Sequence, residues 1–305
     1  LTLGSTTATT EIMLEGATTV SISDVTTAGD VTITAPDGIV DLNGTDVNVT
    51  AASLTVNGMV DSLDTAIADL TLDVSNAAIS NTGDLVISDS NGTGNIAVET
   101  SGTLTVNELN AAGRFVFVRG ADGVADGNGV GTPNIRSESL TVLSDGDVAN
   151  LDTEVSRLRL DAGSAVVRNS GTLTVTGAAV DTDLELHSDG LVSVNSIVAG
   201  GDVVLDTEGA VSDANGDFVN IRAATLTLAT EAVDIDTRGD GLTLDSADAN
   251  IHNSSHAAVG GEVRGDLMLE GLTSLTVSDL ATSGDAHVNA GGDVILGVLD
   301  SGEMI

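Results

Sequence analysis

Three oxygen-bearing side chains, Asp122, Asp126 and Asn128, fall within seven residues in a stretch rich in Gly and Asp. Hard oxygen donors this close together are what a Ca²⁺ ion takes, so these residues are the chain's candidate metal ligands. The tandem Gly-Gly-x-Gly-x-Asp nonapeptide of calcium β-rolls does not accompany them. The competing reading makes 119–138, which holds Pro133, a surface loop inserted between repeats, with no cofactor required. A second irregular stretch, 251–265, carries His252 and His256. Two histidines do not define a metal site, and a solvated loop is the expectation there. Carboxylate pairs recur at Asp145/Asp147, Asp181/Asp183 and Asp234/Asp236. Acid–base catalysis needs two carboxyls whose environments push their pKa values apart, and nothing marks one pair out among 46 acidic residues. The expectation is a chain that is not an enzyme.

Composition narrows the chemistry further. The net charge is −37, the nine basic residues are all Arg, and Lys, Cys, Gln, Trp and Tyr are absent. Disulfides, thiolate sites and Lys–Asn crosslinks are therefore unavailable. So acidic a chain is expected to bind no nucleic acid, whose phosphates it has little to neutralise. It is also expected to be repelled by anionic membranes and, with no run of about 18 apolar residues, to insert into none. The charge reads first as a solubility device and second as a means of bridging to glycans through divalent cations.

What must position these residues is a repeat. Leu63-Asp64-Thr65, Leu70-Thr71-Leu72-Asp73, Ala77, Ile79 and Asn81 return as Leu151-Asp152-Thr153, Leu158-Arg159-Leu160-Asp161, Ala165, Val167 and Asn169. They return again as Ile235-Asp236-Thr237, Leu242-Thr243-Leu244-Asp245, Ala249, Ile251 and Asn253. The offsets, 151 − 63 = 88 and 235 − 151 = 84, define super-repeats near 63–150, 151–234 and 235–305. Strand-like quartets give a finer step of 19 residues: Asp84–Ile87 and Thr103–Val106, Asp183–Leu186 and Asp202–Leu205, Asp266–Leu269 and Asp285–Val288.

Apolar–polar alternation within the quartets predicts short strands with one buried face, and helical periodicity is nearly absent. Gly-Asp pairs at 29–30, 83–84, 201–202, 265–266 and 292–293 precede strands. There Gly allows a corner, and Asp is expected to bond the backbone of its own turn. The pattern predicts an all-β chain wound as a parallel β-helix, with coils of roughly 19–22 residues and irregular loop insertions. A β-sandwich array fits less well, because its core needs larger side chains than this chain supplies with Phe115, Phe117 and Phe218 alone. Residues 1–305 are expected to form one continuous segment of a longer chain or stacked polymer. Roughly 15 coils at about 4.8 Å each would extend about 70 Å. Leu1-Thr2-Leu3 and Val294–Leu299 are strand-like and uncapped, so axial self-association, or continuation of the ladder by a longer parent chain, is expected.

The run from Asp152 to Val175, and the Ala-Gly-Gly-Asp-Val-x-Leu runs at Ala199–Leu205 and Ala290–Leu296, resemble the repeats of large bacterial exoproteins of the filamentous haemagglutinin type. That resemblance implies a right-handed β-helical shaft, exported to the bacterial cell surface and used in adhesion or filament building. The expected function is such a non-catalytic shaft, extracellular, with other cells or glycans as partners. The alternative is a soluble β-helical carbohydrate-binding or carbohydrate-processing domain.

Overall fold

The computed structural model describes residues 1–216, 218–253, 256–272, 274–297 and 299–301. Among them there is no helix; strands of 2 to 16 residues follow one another from Thr2–Thr7 to Leu299–Ser301. Each strand pairs in parallel with the strand one coil before or after it, as in Ser53–Ala66 on Asp69–Asn81 and Thr225–Arg238 on Gly241–Asn253. The chain is an all-β parallel solenoid, as the alternating quartets predict. It forms two compact units, Leu1–Val155 and Ser156–Ile305.

In the N-terminal unit Leu63, Ile79, Val98, Val118 and Val142 are successive register partners, all buried. The sequence steps between them are 16, 19, 20 and 24 residues. In the C-terminal unit Ala165, Leu184, Val203, Leu226, Leu242, Val259 and Val277 form the same kind of column. Its steps run from 16 to 23 residues. Coil length is thus less uniform than the expected 19–22, because corners differ in length while the inward aliphatic positions stay in phase. Leu72, Leu160 and Leu244, equivalent in the super-repeat, are each no more than 2% exposed. The core is aliphatic. Phe115 and Phe218 stand outside, Phe218 at 74% exposure.

Corners are closed from within. Thr27, Ser144 and Ser188 each donate a hydroxyl hydrogen to a carbonyl of the preceding coil: Thr10 O at 2.5 Å, Gly120 O at 2.8 Å and Gly171 O at 2.8 Å. Each hydroxyl also accepts the N–H of the glycine two residues on. The super-repeat's Asn81 belongs to a similar buried column, bonding Thr65 at 2.9 Å and Thr100 at 3.2 Å. These bonds satisfy backbone groups that an aliphatic corner would leave unpaired.

Two of the Gly-Asp pairs, at 83–84 and 265–266, act differently from the expectation. Asp84 Oδ1 accepts the amide hydrogen of Thr103 at 2.9 Å, and Asp266 Oδ1 that of Asp285 at 3.0 Å. Each bond spans 19 residues and reaches the next coil rather than the carboxylate's own turn. The approach is close: a Cβ on Gly102 would lie 2.4 Å from Asp84 Oδ1.

Candidate functional site

The stretch 119–138 is not one excursion. Gly123–Asp126 is a strand laid between Thr103–Val106 and Asp147–Ala149, and Val124 is buried. Only 127–132 is exposed throughout. The expected loop is therefore corrected to the turn that follows Asp126. Likewise 251–265 is not a solvated loop: His256–Val263 runs between Gly241–Ser246 and Ser274–Thr282.

The three candidate calcium ligands do not converge. Asp122 lies before the strand and Asp126 at its end, about 13 Å apart for four extended residues, against metal–oxygen bonds of about 2.3–2.6 Å. Asp126 Oδ1 instead accepts the N–H groups of Asn128 and Gly129, both at 2.8 Å, and the Nδ2 of Asn134 at 2.9 Å. Asn128 Oδ1 accepts a second hydrogen from the same Nδ2 at 2.9 Å, and Asn128 Nδ2 donates to Asn107 O at 2.5 Å. Asn134 Nδ2 also points at Val106 O, 2.7 Å away.

This arrangement occurs three times. Asp41, Asn43 and Asn48 repeat it, with Asp41 Oδ1 accepting from Asn43 N at 2.7 Å, Gly44 N at 3.1 Å and Asn48 Nδ2 at 2.8 Å. So do Asp213, Asn215 and Asn220, at 2.6, 3.1 and 2.7 Å. Each last Asn is essentially fully buried and grips the next coil. Its Oδ1 accepts the amide of Asp64, Asp152 or Asp236. Those are the aspartates of the Asp-Thr element with which each super-repeat begins. The glycine after the middle Asn has φ between 71° and 87°, which opens the turn. Burial raises the Asp41 pKa, but the Asn48 amide and the N–H groups of Asn43 and Gly44 outweigh it, so the net shift is downward.

In the sequence the clamp corresponds to Asp-x-Asn-Gly at 41, 126 and 213, offset by 126 − 41 = 85 and 213 − 126 = 87, with a further Asn seven or eight residues after the Asp; the same tetrad at Asp89–Gly92 lacks that Asn. Of these, the copy at 126 is the richest in Gly, which is what makes it resemble a metal-binding loop in the sequence.

The remaining candidates are dispersed. Asp145 faces Arg119 at 3.8 Å, Asp183 caps the Asp202 amide at 2.8 Å, and Asp234 accepts from Asn250 Nδ2 at 2.9 Å. His252 Nδ1 is 3.0 Å from Asp236 Oδ1; the side chain of His256 lies outside the described residues. Among the described residues, no group of three His, Asp or Glu side chains is placed to hold a metal ion. One hollow of about 190 Å³ opens on the outer face of the N-terminal unit. Phe117, Ala78 and Ala97 line it together with Ser62, Ser80 and Glu99.

No family model matches the chain, and no curated protein or solved structure does either.

Proposed function

We propose that this chain is a structural segment, the non-catalytic shaft of a secreted bacterial surface adhesin or extracellular filament. The observation that supports it most is the threefold Asp–Asn clamp, returning in phase with the super-repeat. The buried asparagines of the clamps hold coil to coil, and most of the charge lies outside, where it hydrates a long surface. On this reading the chain works at the cell surface, without a cofactor, alongside further coils of its own kind and glycans on other cells. Electron microscopy of native material tests it: fibres far longer than one chain can span are expected, and discrete particles would count against it.

The Phe117 hollow favours a second reading, a carbohydrate-binding or carbohydrate-processing domain. An aromatic face beside hydroxyls and a carboxylate suits a sugar ring. Saturation-transfer NMR with neutral oligosaccharides, lost in Phe117→Ala, would support this reading over the shaft.

A further inference from the structure

Arg222 and Arg238 are register partners in successive coils of the C-terminal unit, so their backbones are about 4.8 Å apart. Both are exposed. Among the described residues neither guanidinium has an ion-pair or hydrogen-bond partner, whereas Arg119, Arg136 and Arg264 each face a carboxylate. Like charges directly opposite each other in a ladder repel. In a chain with 46 acidic residues, a stacked arginine pair without an acid between them is an arrangement that folding alone does not call for. The pair borders an open hollow of about 460 Å³. Its other walls are small residues from three coils, Gly200, Ala224 and Gly239 among them, and one carboxylate, Asp240.

We propose that Arg222 and Arg238 form an oxyanion-binding site that takes a sulfate or carboxylate group, either free or carried on an acidic polysaccharide. Each guanidinium presents a planar fork that matches two oxygens of such a group, and one coil spacing lets two forks share it. The small walls leave room for whatever bears the anion. Asp240 opposes binding and limits the affinity. The charge of the rest of the chain repels a polyanion at long range, so binding should be read near 0.15 M salt. There the screening length is about 8 Å and contact pairs persist. The site does not depend on the shaft reading.

The test is an NMR titration of the whole chain with sodium sulfate, and separately with sulfated and uronic-acid oligosaccharides, against sodium chloride of equal ionic strength. Saturable shifts of the Ala223 and Gly239 amides are expected. Arg222→Gln and Arg238→Gln should each weaken binding about tenfold, Arg222→Lys less, in line with the strength of charge-assisted bidentate bonds. Asp240→Asn should tighten it, and Arg157→Gln, at an exposed arginine that does not line the hollow, should change nothing. Tighter binding of an oligosaccharide than of sulfate identifies a glycan-borne group, and equal affinity identifies the free ion; either outcome supports the site. Absence of saturable shifts in the wild type, or equal binding by Arg222→Gln with an unchanged circular dichroism spectrum, overturns it.

Discussion

Asn220 and Asp236, sixteen residues apart, hold each other through two bonds: Asn220 N donates to Asp236 O, and Asp236 N donates to Asn220 Oδ1, both at 2.8 Å. The asparagine side chain thus supplies the acceptor that extends the ladder where one coil turns. Asn48 with Asp64, and Asn134 with Asp152, do the same. Replacing Asn220 with Leu strands the Asp236 amide in a part-buried corner and removes one of two bonds to the Val194 carbonyl, which keeps the Ala214 amide at 3.0 Å. The expected cost is about 1–3 kcal/mol. Hydrogen exchange should show lost protection at the Asp236 amide, with distant coils unchanged. Full protection in the variant would mean the clamp is dispensable.

Acid should loosen the first clamp. The folded-state pKa of Asp41 is depressed despite burial, because Asn48, Asn43 and Gly44 donate to its carboxylate. A depressed carboxyl pKa stabilises the fold fully above the unfolded-state value, near about 4, and that contribution disappears as pH falls through the folded value. Asp41→Asn should therefore be less stable than wild type at neutral pH, with the gap closing in acid. Urea midpoints measured from pH 7 down to pH 2 decide the matter; a constant gap would contradict the assignment.

Inward and outward positions should differ sharply in tolerance. Leu160, buried to 2% exposure, should lose about 2–5 kcal/mol on substitution by Ala. Leu160→Asp, which buries an unpaired charge, should lose more. Phe218→Ser, at a side chain 74% exposed, should stay within about 0.5 kcal/mol. Denaturation midpoints of the three variants check the register.

Gly102 should accept no side chain. A Cβ there would lie 2.4 Å from Asp84 Oδ1 and 2.8 Å from Asp84 N, so Gly102→Ala must displace the adjoining corner, at a cost of about 1–3 kcal/mol. Removing the carboxylate with Asp84→Ala relieves only part of this, because the backbone contact remains. A double-mutant cycle on unfolding free energies should give a coupling above about 0.5 kcal/mol.

The turn after Asp126 can be probed by length. A Gly-Ser insertion after Val130, 67% exposed, should leave the fold intact, since that backbone is outside the ladder. Deleting Ala121 to Thr132 removes the rung Gly123–Asp126 and should abolish cooperative unfolding of the N-terminal unit.

Alternation of aliphatic and polar residues was enough to read the coil architecture and the inward positions of Leu72, Leu160 and Leu244 from the sequence. Burial in a strand follows a local period of two, and any residue on the inner face meets the stack. The super-repeat was legible for the same reason: copies of a coil carry copies of its pattern. The roles of Asp84, Asp126, Asn134 and Asn220 were not. Asp84, Asn134 and Asn220 reach partners 16 to 28 residues away in neighbouring coils, at separations that change with the length of each coil, and Asp126 is held by Asn134, eight residues on. Asp126 resembles a cation ligand locally, because the Asn134 amide that occupies it is set in place by Val106 and Asp152 of the neighbouring coils. The unpaired stack of Arg222 on Arg238 likewise depends on one 16-residue coil step. Local pattern determined which residues face in. Coil length, settled only when the chain is wound, decided which polar groups meet.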